Sequence, residues 1–314
     1  MAMIEVGETS EGGENSVAVA LGLLGDEWNL LIIRLAFLGA RRYKDWHDKL
    51  GIANSVLSSR LNGLIDAGVF VRVPYQKRPL RNEYRLTECG KDLWQVLVTI
   101  WDWESQWVKD RPVPLPPMVH LECGSEASPV LKCGKCKKPA TVKNVRGAFG
   151  PSGSFERSVP RATTRRRSVT PDNGDYGLYS ETISLIGNRW SATALATVFF
   201  GASRFTDFLQ LMSAPPVIVA DRLKTFCDIG VLQRTVPTNG SSRLEYRLSS
   251  KGHAVFPLIL TFIHWGDEWF RSPEGPALIF THLECESDLI PTLYCSKCDH
   301  ELVRKQIGVG GLVL

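Results

Sequence analysis

The sequence has no apolar run long enough to cross a bilayer. Its most apolar region, Val17 to Leu38, is broken by Asp26, Glu27, Asn29 and Arg34, a spacing that suits two amphipathic helices better than a membrane span. A basic, apolar leader is also missing. Residues 1–15 hold Glu5, Glu8, Glu11 and Glu14 and no base, so they are expected to form a disordered acidic tail on a cytoplasmic protein. No nucleophile with a base and an orienting partner is recognisable, nor a phosphate-cradling glycine loop or a pair of carboxylates, and the reading is that the protein is not an enzyme. Without a secretory start, the eight cysteines are expected to be metal ligands or buried thiols rather than a disulfide framework. A strong excess of either charge is also missing. The net charge is +4, with the basic excess in residues 16–177 and with acidic ends, which favours an anionic partner without requiring one.

What the sequence does have is a second copy of itself. A shift of 162 residues, which carries Gly25 onto Gly187, also carries Trp28 onto Trp190, Arg42 onto Arg204 and Arg60-Leu61 onto Arg222-Leu223. It further places Glu83-Tyr84-Arg85-Leu86 on Glu245-Tyr246-Arg247-Leu248, and Trp103 and Trp107 on Trp265 and Trp269. A period this long means two whole domains rather than a solenoid unit. Between the copies, residues 144–177 are rich in Gly, Pro, Ser and Arg without an apolar period, and are expected to be a basic flexible linker.

Each copy reads in the same order. Helices are predicted near 16–24, 28–38, 43–50 and 53–67, then strands near 69–74 and 82–86 joined by YQKRPLR as a hairpin, then a long helix from Thr87. The helix between Gly51 and Gly68 has Ile52, Val56, Leu57, Leu61, Leu64 and Ile65 on one stripe and Asn54, Ser55, Ser58, Ser59 and Asn62 on the other side. Followed by a hairpin, it fits the second helix of a helix-turn-helix with a wing, and equally an ordinary amphipathic surface helix. The long helix carries Leu93, Val96, Leu97, Ile100, Trp103 and Trp107 on a stripe that suits helix–helix dimerisation or packing on its own core.

The residues LLGDEWNLLIIRLAFLGARRYKDWHDKLGIANSVLSSRLNGLIDAGVFVRV, with RNEYRLTECG behind them, resemble the HxlR family of bacterial transcriptional regulators. The second copy, from LIGNRWSATALATVFFGASRF to RLEYRLSSKG, resembles it too. The resemblance implies a DNA-binding regulator that dimerises through its terminal helices and places the polar-faced helix in the major groove. Some members are thiol switches with a cysteine in the first helix. This chain has Asn15 and Ser16 in that neighbourhood, and Gly177 and Leu178 in the second copy, so that mechanism does not carry over. Cys89 and Cys227 are unrepeated and read as small core residues.

On this reading Asn54, Ser55, Ser58 and Ser59 face the groove, and Arg60 reaches a base edge or phosphate. Lys77, Arg78 and Arg81 on the wing meet phosphate or the minor groove, and Arg41 and Arg42 ahead of the third helix add contacts to the DNA backbone. For Arg60, Arg81 and Arg85, ion pairs with Glu83 and Asp66 are an equal alternative. The second copy keeps the scaffold and changes the surface, with Pro216, Val217, Ala220 and Asp221 in place of the four polar residues and PTNGSS in place of the wing tip YQKRPL. The expected partner is double-stranded DNA, with a small-molecule effector admitted, bound by an intrachain pseudo-dimer with one strong reader or by a homodimer. The alternative is a ligand- or protein-binding module with degenerate DNA reading.

After each long helix comes His-x2-Cys-x9-Cys-x2-Cys: His120, Cys123, Cys133 and Cys136, then His282, Cys285, Cys295 and Cys298. Six of the eight cysteines lie in these sets, and a Cys3His set filled twice fits closed structural Zn2+, two ions per chain, with metal or redox sensing and free thiols as alternatives. His300 rivals His282, but its counterpart is Lys138. The fold class expected is mainly α with small β wings (α+β). The order is tail 1–15, winged helix-turn-helix 16–112, zinc-ribbon-like module 113–143, linker 144–177, winged helix-turn-helix 178–273, and a second zinc-ribbon-like module with C-terminal tail 274–314.

Overall fold

The computed structural model describes residues 13–109, 114–158, 160, 180–236 and 244–314. The first repeat runs α1 (Ser16–Leu24), α2 (Glu27–Phe37), α3 (Tyr43–Leu50), α4 (Asn54–Asp66), β1 (Phe70–Lys77), β2 (Leu80–Leu86), α5 (Glu88–Asp92) and α6 (Trp94–Trp107). Four short strands follow, β3 (Met118–His120), β4 (Ser125–Glu126), β5 (Pro129–Cys133) and β6 (Val145–Phe149). The second repeat runs α7 (Ser180–Ile186), α8 (Arg189–Phe199), α9 (Phe205–Met212), α10 (Pro216–Asp228), β7 (Leu232–Thr235), β8 (Glu245–Leu248), α11 (Ser250–His253) and α12 (Phe256–Phe270). The chain ends with β9 (Leu278–His282), β10 (Ser287–Asp288), β11 (Pro291–Cys295), β12 (Ile307–Val309) and β13 (Leu312–Val313). The long helix expected from Thr87 is thus two helices. The Thr87 hydroxyl caps α5 by accepting from the Gly90 N–H, and Leu93 ends α5 and starts α6.

The chain forms two compact units, and they do not follow the order of the repeats. One holds the first winged helix, Asp26–Val130, together with the C-terminal Leu293–Leu314. Its core is set by Trp46, fully buried, whose indole N–H donates to the Ile32 carbonyl at 3.0 Å and whose ring meets Phe70 and Tyr84 edge-on. Leu57, Leu61 and Leu64 turn one face of α4 into that core. Gly68, at φ 73, makes the left-handed turn that sends the chain into β1. Trp103 of α6 is also core, which answers its part of the stripe by packing. The C-terminal segment adds β12 and β13 to β3 and β4, in the order β13-β12-β3-β4, with Ile307 opposite His120.

The other unit holds the second winged helix with residues 13–25 and 131–158. This corrects two expectations. Helix α1, assigned above to the first domain, packs on α12. Its sequence SVAVALGLL is apolar all round and needs burial on every side. Gly266 supplies the room on α12, since a Cβ there would sit 3.0 Å from the Ala20 Cβ and the Ser16 carbonyl. Ser16 then donates to the Asp267 carboxylate at 2.6 Å. The stretch expected to be linker is also structured at its start. β6 pairs with β9 from Val145↔His282 to Phe149↔Leu278, and the buried Arg157 donates to the Gly13 carbonyl and pairs with Glu274 at 3.2 Å. Gly147 lets the strand lie against the Phe280 and Phe200 rings, where a Cβ would meet both within 3.2 Å. Residues 161–177 of the expected linker, and 1–12 of the expected tail, lie outside the described residues.

Candidate nucleic-acid interface and metal centres

Helix α4 starts at Asn54 without a side-chain cap on its first turn. Tyr43, at the start of α3, steadies it. Its hydroxyl lies 2.9 Å from the Asn54 carbonyl, to which it can donate, 3.0 Å from Asn54 Oδ1 and 3.3 Å from Ser58 Oγ. The polar face is therefore tied to the preceding helix as well as solvent-facing, with Ser55 and Ser59 exposed beside it. Tyr43 was not singled out from the sequence. Its signal was the second repeat, where the aligned Phe205 keeps the ring and loses the hydroxyl.

The arginines divide. Arg60 does not join the exposed face. Its guanidinium makes a two-point pair with Asp26, Nε to Oδ1 and a terminal nitrogen to Oδ2, both at 3.0 Å, and Asp26 in turn caps α2 by accepting from the Asn29 N–H. The alternative partners expected for it, Glu83 and Asp66, are not the ones it takes. Glu83 pairs with Arg85 instead. Arg41 likewise folds inward and donates to the carbonyls of Ala36 and Ala40, satisfying the end of α2. Arg42 stays exposed and lies 4.6 Å over the Tyr75 ring, which braces the wing. Lys77, Arg78 and Arg81 are exposed at the hairpin tip, where Lys77 faces Leu80 and Gln76 faces Arg81.

In the second repeat Pro216, Val217, Ala220 and Asp221 occupy the matching face of α10 and are exposed, Val217 at 77%. Asp221 pairs with its neighbour Arg222. The wing-tip residues 237–242 lie outside the described residues.

The Cys and His residues come together in two groups, and each group draws on both repeats. His120 and Cys123 meet Cys295 and Cys298, while Cys133 and Cys136 meet His282 and Cys285, with the donor atoms of each group within 4.8 Å of one another. The expectation that each module closes on its own four residues is corrected. Both groupings offer three thiols and one imidazole, so ligand chemistry cannot choose between them, whereas the strands can. β12 carries the C-terminal segment onto β3 beside His120, and β6 carries the first repeat's strand segment onto β9 beside His282.

The distances suit a tetrahedral ion. Bonds of ~2.3 Å to sulfur and ~2.0 Å to nitrogen give S–S edges near ~3.8 Å and N–S edges near ~3.5 Å. In the first group Cys123 Sγ lies 3.9 Å from Cys295 Sγ, and His120 Nδ1 lies 3.5 and 3.3 Å from Cys123 and Cys298. In the second, Cys133 and Cys285 are 3.9 Å apart, and His282 Nδ1 is 3.3 Å from Cys136 and 3.4 Å from Cys285. With Nδ1 turned to the thiols, His282 Nε2 faces the Pro139 carbonyl at 3.3 Å, an outer partner of the kind that orients a ligating imidazole, whereas His120 Nε2 makes no hydrogen bond and has the Glu122 carboxylate 3.7 Å away. The rival His300 lies outside both groups, 2.7 Å from Glu122.

The thiols also perturb one another. The backbone N–H of Ser125 leads the groups that hold Cys123 down at about 6, with His120 helping. Cys298, despite the N–H of His300, is pushed up by loss of solvent and then by Cys295 and Cys123. Mutual repulsion among three sulfurs this close opposes their ionising together. Cys89 and Cys227 stand apart, and burial raises both, Cys89 to about 11.

Comparison with known proteins places these features in context. The HxlR-like helix-turn-helix family matches residues 23–112 and again 185–274. An uncharacterized HTH-type transcriptional regulator of Mycobacterium tuberculosis, Rv3095, is 41% identical over 151 residues, which cover 48% of this chain and 94% of that protein. Nearly all of that relative is thus matched by under half of this chain, as a duplication requires. YvaP of Bacillus subtilis, also an uncharacterized HTH-type transcriptional regulator, is 33% identical over 92 residues, covering 29% of this chain and 85% of YvaP. Among solved structures, diamide-treated YodB from B. subtilis matches at 31% identity and a TM-score of 0.26, covering 28% of this chain and 89% of YodB.

Proposed function

Because this chain belongs to the HxlR-like helix-turn-helix family and holds its domain twice, we propose that it is a transcriptional regulator that reads double-stranded DNA chiefly through its first repeat. The observation that carries the reading is the contrast between two faces on one scaffold. On α4, Asn54, Ser55, Ser58 and Ser59 offer short hydrogen-bonding groups suited to base edges, beside a wing tip with three exposed cations. On α10 the same positions offer Pro216, Val217, Ala220 and Asp221, and an exposed carboxylate opposes a phosphate surface. Lys77, Arg78 and Arg81 anchor the backbone, Arg42 holds the wing in place, and Arg60 and Arg41 keep the scaffold in shape.

The metal centres hold Zn2+ as structural ions. Three thiolates and one imidazole saturate a tetrahedron, which leaves no open position for catalysis. Each ion takes two ligands from each repeat, so each closes a compact unit that draws on both copies, and α1 packed on α12 does the same within one of them. Selection of bound sequences from random DNA with the full chain tests the reading. One preferred half-site with a second, poorly specified one is expected, and the absence of any salt-dependent DNA binding would overturn it.

A further inference from the structure

The two repeats fill the same place in their cores differently. In the first, Leu30, Leu31 and Arg34 of α2 and Trp101 of α6 are buried there, with the Arg34 guanidinium 4.9 Å over the Trp101 ring. The space left beside that pair is about 20 Å³. The repeat puts Ala192, Thr193 and Ala196 of α8 and Ile263 of α12 at these positions, and every one is smaller. Two lobes of about 70 and 60 Å³ open between α8 and α12, sharing a wall of Ala196, Phe200, Ile259, Ile263 and Leu278.

The lining decides the chemistry. It carries no charged side chain. Of its polar groups, the Ser158 hydroxyl already donates to the Ser154 carbonyl and accepts from Asn15, so it does not call for a ligand partner. Four phenylalanine rings border the larger lobe, Phe262 and a cluster of three. Phe149 meets Phe155 edge-on at 5.1 Å and lies 5.6 Å from Phe200, which meets Phe155 at 6.2 Å. Such a cluster takes a further ring in the same edge-to-face manner. An apolar cavity of about 150 Å³ suffices for benzene, and the two lobes together approach it, which leaves no room for a fused ring system, while the uncharged lining offers nothing to a charged ligand.

We propose that the second repeat's core is a binding site for one small uncharged aromatic molecule, seated between α8 and α12 against Phe149, Phe155 and Phe200. The site lies where the second copy has Ala196 and Ile263 in place of the Arg34–Trp101 pair, and it does not depend on the DNA reading.

Toluene added to the metal-loaded chain is the test, followed by saturation-transfer NMR and by the chemical shifts of the Ile259 and Ile263 methyl groups. Saturable binding that moves those methyls is expected. Ala192→Leu, which restores the first repeat's residue, and Ala196→Leu are each expected to weaken it at least tenfold, while Val217→Ala on exposed α10 leaves it unchanged. No saturable toluene signal in the wild type would overturn the proposal, as would equal affinity in both filled variants. Should the filled variants fold poorly, the wild-type methyl shifts decide, and saturable binding that leaves Ile259 and Ile263 unmoved places toluene elsewhere and also overturns it.

Discussion

His120 Nδ1 lies 3.3 Å from Cys298 Sγ across 178 residues of chain, closer than to Cys123 three residues away, at 3.5 Å. The imidazole of the first repeat and a knuckle thiol of the second therefore belong to one centre. A double-variant experiment separates this from module-local sites. Zinc analysis of the wild type should give close to two ions per chain. Cys123→Ser with Cys298→Ser removes two ligands from one centre and should leave about one ion, whereas Cys123→Ser with Cys136→Ser damages both and should leave almost none. The reverse pattern would restore the module-local arrangement.

The pair of Arg60 with Asp26 predicts a loss of stability without a loss of sequence preference. Asp26 is 7% exposed and receives both Arg60 and the Asn29 N–H, so Arg60→Ala leaves a buried carboxylate half-satisfied. A cost of about 2 kcal/mol in urea denaturation is expected. The double variant with Asp26→Asn should recover part of it, because Asn still caps α2 and carries no charge; the second repeat already uses Asn188 there. A changed base preference in Arg60→Ala with unchanged stability would return this residue to the DNA face.

Asp45 gives the pH dependence its sign. Burial raises its pKa, but the N–H groups of Arg41 and Arg42, each 2.8 Å from Oδ2, and the charges of Lys49 and Arg42 lower it by more, so it lies below the ordinary 3.8. A folded-state value below the unfolded one adds stability above that pH, and the gain is lost as pH falls through the folded value. Asp45→Asn should cost about 1 kcal/mol at neutral pH, with the gap to wild type closing below about pH 4. An equal gap in urea titrations at both pH values would assign the effect to packing instead.

On the wing, Lys77→Ala with Arg78→Ala should weaken binding to every sequence and reduce the slope of log affinity against log salt by about two. Ser55→Ala should leave that slope unchanged while relaxing preference at one base position, at about 1 kcal/mol. Competition assays at several salt concentrations distinguish the two patterns.

The sequence by itself determined the duplication, the order of helices and wing, the polar stripe on α4 and the types of metal ligand. These are local or repeated features, and local spacing sets which side of a helix is apolar. Partner choice lay beyond it. An arginine on α4 looks the same whether it meets phosphate or a carboxylate 34 positions earlier, and only the fold brings Asp26 beneath Arg60. Residues 145–149 have no strong period because their hydrogen bonds come from β9, far along the chain. Above all, two equal Cys3His sets carry the same chemistry whether closed within a repeat or crossed between repeats. The tertiary structure crossed them, because the strands that deliver each half-set pair with the other repeat and bring the four donor atoms of each group within 4.8 Å of one another.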